Sequence, residues 1–271
     1  MSKARLLPVF RNGFTAMTEQ EMTGTVAGGK RKRVFDLPLD ALTMAESVQL
    51  CHRLISERGH WRADLNASIV LAALEDDKLR EYVETSAISN ADGQSIVWAG
   101  RLLGAEAPER VSGIDLFLEL IKLAPDRGDR VYLLGARHDV VQAVAEKFTA
   151  RGVNVVGFRD GYWTPEEESD VVREIAATSP DLLFLALPSP RKEHFVLQHK
   201  NRLNVGLAFG VGGSFDVISG RLKRAPLWIQ KLGLEWCYRF AQEPRRLLKR
   251  YVVGNTQFVL LTLKTRLSHR P

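Results

Sequence analysis

The chain has 271 residues, a net charge of +6, 45% apolar residues and 26% charged residues. Those values exclude a wholly disordered chain, a collagen-like repeat and a polytopic membrane protein. The length fits one large domain or two closely packed ones with a substantial core. The charge is uneven: residues 221–271 hold twelve Lys and Arg against Glu235 and Glu243, a balance of +10, and the preceding 220 residues sum to −4. A localised excess of this kind fits an anionic partner: phosphate, nucleic acid or a membrane surface.

The N-terminal stretch 1–33 is rich in Gly, Thr, Lys and Arg and ends in Lys30-Arg31-Lys32-Arg33. It reads as a flexible leader without the apolar core of a secretory signal. Cys51 and Cys237 lie 186 residues apart and in no metal-binding spacing, so each is expected as a buried thiol in a reducing compartment. With no apolar run long enough to span a bilayer, the expected location is cytoplasmic with a surface attachment.

Val34-Phe35-Asp36-Leu37 reads as the first strand. Thr43 precedes a helix over Met44 to Ser56, and helical spacing returns over Asn66 to Ala73 and Asp76 to Val83. Ile88 to Val97 reads as strand, turn and helix start. Then come a strand over Arg130 to Gly135, a helix over Val140 to Thr149, a strand over Val153 to Gly157 and a helix over Pro165 to Ala177. Thr164 is the expected N-cap of that last helix, with Glu167 three residues on. Asp181 to Leu187 is a strand, Arg191 to His199 a helix and Val205 to Val211 a strand. This alternation predicts an α/β fold of βαβ units around a parallel sheet. After Gly220 the pattern turns helical and basic from Leu222 to Tyr251, interrupted at Pro226 and Pro244. The domain reading is therefore a leader at 1–33, an α/β body at 34–220 and a basic helical appendage at 221–271.

Ligands of open α/β sheets bind beyond the carboxyl ends of the strands. That rule selects the loops at Asp92, at Gly135, at Asp160-Gly161-Tyr162 and at Gly210-Val-Gly212-Gly213. Asp92 follows a mostly apolar stretch and precedes Gly93, where a carboxylate can take a proton from an incoming hydroxyl. The competing reading is a turn aspartate bonded to its own backbone. Arg239, Arg245, Arg246, Lys249 and Arg250 repeat at helical spacing and can hold a diphosphate, or form a solvated basic face. Neither a P-loop nor a nucleophile elbow is present, and the dinucleotide G-x-G-x-x-G is incomplete. The aromatic residues of the tail sit at packing spacings, which argues against nucleic acid.

Longer motifs carry a resemblance. Gly210-Val-Gly-Gly-Ser-Phe-Asp216-Val-Ile-Ser-Gly220, Arg224-Ala225-Pro226, Leu234-Glu235-Trp236-Cys237-Tyr238-Arg239 and Glu243-Pro244-Arg245-Arg246 resemble the WecG/TagA/CpsF glycosyltransferases. Ala91-Asp92-Gly93, Glu109-Arg110-Val111-Ser112-Gly113 and Asp160-Gly161-Tyr162 follow the same order upstream. The resemblance implies a bacterial enzyme with a Rossmann-like parallel sheet flanked by helices and a helical appendage at the inner face of the membrane. It implies inverting transfer from a UDP-sugar to an undecaprenyl-diphosphate-linked saccharide, feeding teichoic acid, common antigen or exopolysaccharide. Asp92 takes the place of the general base. Asp64, Asn66, Arg110, Gly135, Tyr162, Lys192, Glu193, Gly212, Gly213 and Asp216 are expected on the substrates, and Arg239, Arg246 and Lys249 on the diphosphate. No metal and no cofactor are expected, since no DxD triplet occurs, and the oligomeric state is left open, a homo-oligomer included.

Two departures bear on the donor. Asp64 stands where the N-acetylmannosamine-transferring branch has Thr, and Lys192 where it has Gln. They tilt the expected donor toward glucose or a related hexose and the pathway toward exopolysaccharide. A nicotinamide-dependent oxidoreductase on a similar sheet is the alternative.

Overall fold

The computed structural model describes residues 30–105, 107–231, 235–242 and 244–268, without the side chains of 227, 231, 239 and 244–252. The leader before residue 30 lies outside the described residues. A hairpin opens the fold, with β1 over Arg31–Val34 and β2 over Leu37–Asp40. Phe35 and Asp36 form its two-residue turn, at φ 53 and 58. The stretch expected as one strand is thus the tip of a hairpin, and β1 begins inside the expected leader. Arg31 fixes this hairpin through a two-pronged contact with the buried Asp40, whose other duty is to accept the N–H of Ser89.

Helix α1 spans Met44–Glu57 and starts at a Thr43–Glu46 capping box. Strand β3 follows over His60–Leu65, then α2 over Ala67–Ala73, α3 over Asp77–Glu84, β4 over Ile88–Ala91, α4 over Gln94–Leu103 and α5 over Gly113–Arg127. The second half alternates regularly: β5 Arg130–Gly135, α6 His138–Thr149, β6 Asn154–Arg159, α7 Glu168–Thr178, β7 Leu182–Ala186, α8 Arg191–His199, β8 Leu207–Gly210 and α9 Ser214–Ser219. Helix α7 starts at Glu168, later than its sequence signal. Thr164 does not cap it; the Thr164 N–H donates to the Glu167 carboxylate within the preceding turn.

Strands β3 to β8 form one parallel sheet in the order β4-β3-β8-β7-β5-β6. Alternate residues of each strand feed two apolar layers. Leu183 and Leu185 pack with α2, α3, α7 and α8, while Leu182 and Phe184 pack with α1, α5, α6 and α9. Phe117 of α5 sits at the centre of the second layer, its ring centroid 4.2 Å from that of Phe184 and 5.7 Å from that of Phe148. The result is the three-layer α/β architecture that the alternation predicts.

Beyond Gly220 come α10 Leu227–Lys231, α11 Glu235–Gln242 and α12 Pro244–Ser268. The helical tail is therefore longer than its sequence signal. Helix α12 returns to the body and packs on α2 and α4. Phe258 and Thr262 are buried there, and the Phe258 ring meets Phe35 edge-on with centroids 5.2 Å apart. Both cysteines are free thiols; Cys51 is buried and Cys237 only half-buried, against expectation for the latter.

Candidate active site

The carboxyl edge of the sheet gathers most of the expected site residues. Asp92 follows β4 directly, and its Oδ1 accepts the N–H of Gly113 at 2.7 Å. The aspartate thus spans from β4 to the first residue of α5 instead of closing its own turn. Asn66 caps α2, its Oδ1 accepting the N–H groups of Ser68 and Ile69 at 3.1 Å. A side-chain carbon on Gly93 would lie 3.4 Å from Asn66 Cβ, so the ends of β3 and β4 meet closely.

Asp64 sits on β3 and pairs with Arg62 two residues before it. Arg62 is fully buried and was not among the expected site residues. Its Nε donates to Asn90 Oδ1 at 2.8 Å, Asn90 donates to Ser47 Oγ at 3.0 Å, and the guanidinium lies 4.5 Å from the Phe209 ring centroid. From the far side, Lys192 reaches over Gly210: a Cβ there would meet Lys192 Cε at 2.5 Å and stand 3.5 Å from Asp64 Oδ2. Lys192 pairs in turn with Glu193, and both are buried. Asp64, Asp92, Lys192 and Glu193 therefore belong to one cluster with Arg62.

The remaining expected residues line the same edge further along. At β5, Gly135 adopts φ 119, and a Cβ there would lie 2.5 Å from the Ala186 carbonyl oxygen. Gly161 packs against it, its would-be Cβ 3.3 Å from Gly135 Cα. Tyr162 is 72% exposed, with its N–H held by Asp160. Gly212, at φ 51, and Gly213 form the turn between β8 and α9, and Asp216 stands in the first turn of α9.

Arg110 does not face open solvent. Its guanidinium pairs with Glu235 of α11 at 3.2 Å; Glu235 also holds Arg224 at 3.5 Å, and Arg224 holds Asp115 of α5 at 2.6 Å. This chain of charges ties the appendage to the edge of the sheet beside a cleft lined by Ile114, Gly213, Val217, Leu222 and Tyr238. The side chains of Arg239, Arg246 and Lys249, expected on a diphosphate, lie outside the described residues.

Among the described residues, no group of three or more His, Cys, Asp and Glu side chains is arranged to hold a metal ion. No helix among them is long and apolar enough to cross a membrane. A doubly wound parallel sheet with carboxylates and glycine turns along its carboxyl edge defines the class: an α/β fold with charged groups and close backbone turns gathered where open sheets of this kind bind ligands. The chain belongs to the glycosyl transferase WecG/TagA/CpsF family, whose profile matches residues 32–271. It is 34% identical to an N-acetylglucosaminyldiphosphoundecaprenol N-acetyl-beta-D-mannosaminyltransferase of Bacillus subtilis over 200 residues, 72% of this chain and 76% of the relative. The enzyme of the same description from Bacillus spizizenii is 31% identical over 195 residues, 71% and 75% of the two chains. The oxidoreductase alternative finds no support in these relatives, and neither of their names mentions glucose or an exopolysaccharide.

Proposed function

We propose that the chain transfers a sugar, a hexose of the glucose or N-acetylmannosamine type, from a UDP-sugar to an undecaprenyl-diphosphate-linked saccharide with inversion. The observation that carries this reading is the placement of Asp92 at the end of β4, its Oδ1 accepting the Gly113 N–H beside Asp64 and Arg62 at the carboxyl edge of the sheet. The family and the two relatives, named for a diphosphoundecaprenol-linked acceptor, support the reaction class.

In this mechanism Asp92 accepts the proton of the acceptor hydroxyl as its oxygen attacks the anomeric carbon, and UDP departs from the opposite face. Asn66, Arg110, Asp64, Lys192 and Glu193 bind around the reacting sugars. Gly135, Tyr162, Gly212, Gly213 and Asp216 serve the nucleotide, where the glycine turns let the backbone approach it closely. Arg239, Arg246 and Lys249 bind the acceptor diphosphate as charge-assisted donors. No metal takes part, so a chelator leaves the rate unchanged.

The membrane side of the reading rests on α12. Its inner residues Phe258 and Thr262 are buried, while Val259, Leu260, Leu263 and Leu267 are exposed beside Lys264 and Arg266. An exposed apolar stripe with flanking cations suits the surface of an anionic bilayer. Trp98 of α4, 61% exposed, adds an aromatic anchor on a helix that α12 touches.

The test is transfer from labelled UDP-glucose, UDP-N-acetylglucosamine and UDP-N-acetylmannosamine to N-acetylglucosaminyl-diphosphoundecaprenol and to longer lipid-linked saccharides. Transfer from UDP-glucose or UDP-N-acetylmannosamine, with inverted configuration in the product, is the expected result. Retention of configuration, or no transfer from any donor by folded protein, overturns the reading.

A further inference from the structure

Arg62 is a charged residue in an apolar setting. It stands on a central strand, is fully buried and faces the apolar layer of Phe209 and Phe117. Burying a guanidinium costs several kcal/mol unless charge and hydrogen bonds compensate. Asn90 Oδ1 takes its Nε, the Val111 carbonyl accepts from Nη2 at 3.4 Å, and Asp64 pairs with Nη1. Arg62 Nη1 and Asp64 Oδ1 are each other's partner in this ion pair.

The geometry converges above α5. A single point, where a Cβ on Gly113 would stand, is 3.5 Å from Asp64 Oδ1, 3.7 Å from Arg62 Nη1 and 3.8 Å from Asp92 Oδ1. Two carboxylates and one buried cation therefore converge on one point at the start of α5. We propose that Arg62 is a positioning residue for the transfer: it fixes Asp64 on the floor of the site and offsets that second negative charge beside Asp92. This proposal rests on the reading of Asp92 as the base.

The surrounding charges sharpen the argument. From α8, Lys192 and Glu193 pair with each other. The Cys51 thiol of α1 is pushed up to about 12 by burial, and burial likewise pushes the Tyr82 phenol of α3 up; both are neutral at physiological pH. Arg110, before α5, is engaged by Glu235 of α11. Among the described residues, Arg62 is then the cation left to balance Asp64 and Asp92. Burial pulls its proton affinity down, and the negative charge of Asp92 opposes that pull. An arginine keeps its proton in such a setting.

The test is the pH profile of kcat/KM for the full chain and for Arg62→Met, Asp64→Asn, the double variant and Arg62→Lys. Removing the cation leaves two carboxylates together, so Arg62→Met moves the acid limb upward by about one pH unit. Asp64→Asn leaves Asp92 facing an unopposed cation and moves the limb downward. The double variant returns toward the unaltered chain, and Arg62→Lys keeps the limb while lowering kcat. Arg62→Met and Asp64→Asn moving the limb the same way, or not at all, overturns the proposal. If Arg62→Met does not fold, the double variant set against Asp64→Asn decides, since its limb must lie higher. Asp92→Asn separates this proposal from the reading beneath it: full transfer in that variant removes the base assignment itself, whereas an inactive Asp92→Asn with unmoved limbs removes only the role of Arg62.

Discussion

Asp92 and Gly113 are joined by one hydrogen bond of 2.7 Å from the amide of α5 to the carboxylate at the end of β4. The bond holds one carboxylate oxygen of Asp92 at the first residue of α5. Sequence distance does not foretell this contact: it closes across the α4 helix and the loop that follows it.

The absence of a side chain at Gly135 is structural as well. Its φ of 119 disfavours any L-residue, and the Ala186 carbonyl stands 2.5 Å from where a Cβ would be. Gly135→Ala is expected to lower unfolding free energy by about 2 kcal/mol or more, read from urea midpoints at constant slope. An unchanged midpoint contradicts the contact.

Alkaline stability follows from two buried acids. The Cys51 thiol is raised from 9.0 to about 12, and the Tyr82 phenol is raised above its usual 10.0, both chiefly by burial. In the unfolded chain these groups lose their protons first, so the folded state holds more protons above pH 9. Stability is then fully present below pH 9 and falls as pH rises toward the folded values, by about 1.4 kcal/mol per pH unit for each group once its unfolded form is ionised. Urea unfolding from pH 8 to pH 11 checks the slope, and Cys51→Ala should flatten its first part.

Glu235 is the link that holds α11 to the body through Arg110 and Arg224. Glu235→Gln keeps the shape and removes the charge. Trypsin should cut residues 221–231 several-fold faster in that variant, while the α/β body stays resistant. Equal cutting rates would mean that the apolar contacts of α11 suffice.

The two faces of α12 should respond differently. Phe258→Ala removes a buried ring and is expected to cost about 3 kcal/mol of stability. Leu260→Ser, Leu263→Ser and Leu267→Ser together lie on the exposed face and should leave the unfolding midpoint nearly unchanged. Sedimentation with anionic vesicles should fall sharply in the triple variant and remain in the Phe258 variant at temperatures where it is folded. Unchanged vesicle binding in the triple variant would move the membrane contact elsewhere.

Much of the fold was legible because β5, β7 and β8 are apolar runs between amphipathic helices, the pattern of strands buried on both faces. Strand β3 was not, because His60-Trp-Arg-Ala-Asp-Leu65 carries two charges inside a central strand. Those charges are affordable only through Asn90, Val111, Phe209 and Asp92, all distant in sequence. The same fact hid Arg62. Its one local signal is the alternation of Arg62 and Asp64 between Trp61, Ala63 and Leu65, which puts both charges on one side of a strand. Helix α5 was passed over because its start, Val111-Ser-Gly-Ile, lacks a side-chain cap; the cap comes from Asp92. The hairpin turn at Phe35 and Asp36 was read as strand because Phe35 is an unusual choice for a positive φ and no glycine marks the turn. Asp92 was singled out from its place after a mostly apolar stretch, where the parallel-sheet rule puts ligands.

The most direct test of the central claim is single-turnover transfer by Asp92→Asn beside the unaltered chain, with the active donor and lipid-linked acceptor at saturating concentration. The substitution keeps the oxygen that accepts from Gly113 and removes the charge that takes the proton. The account predicts a loss of at least about a hundredfold in the transfer step, with an unchanged unfolding midpoint and donor affinity. Transfer at the rate of the unaltered chain would contradict it.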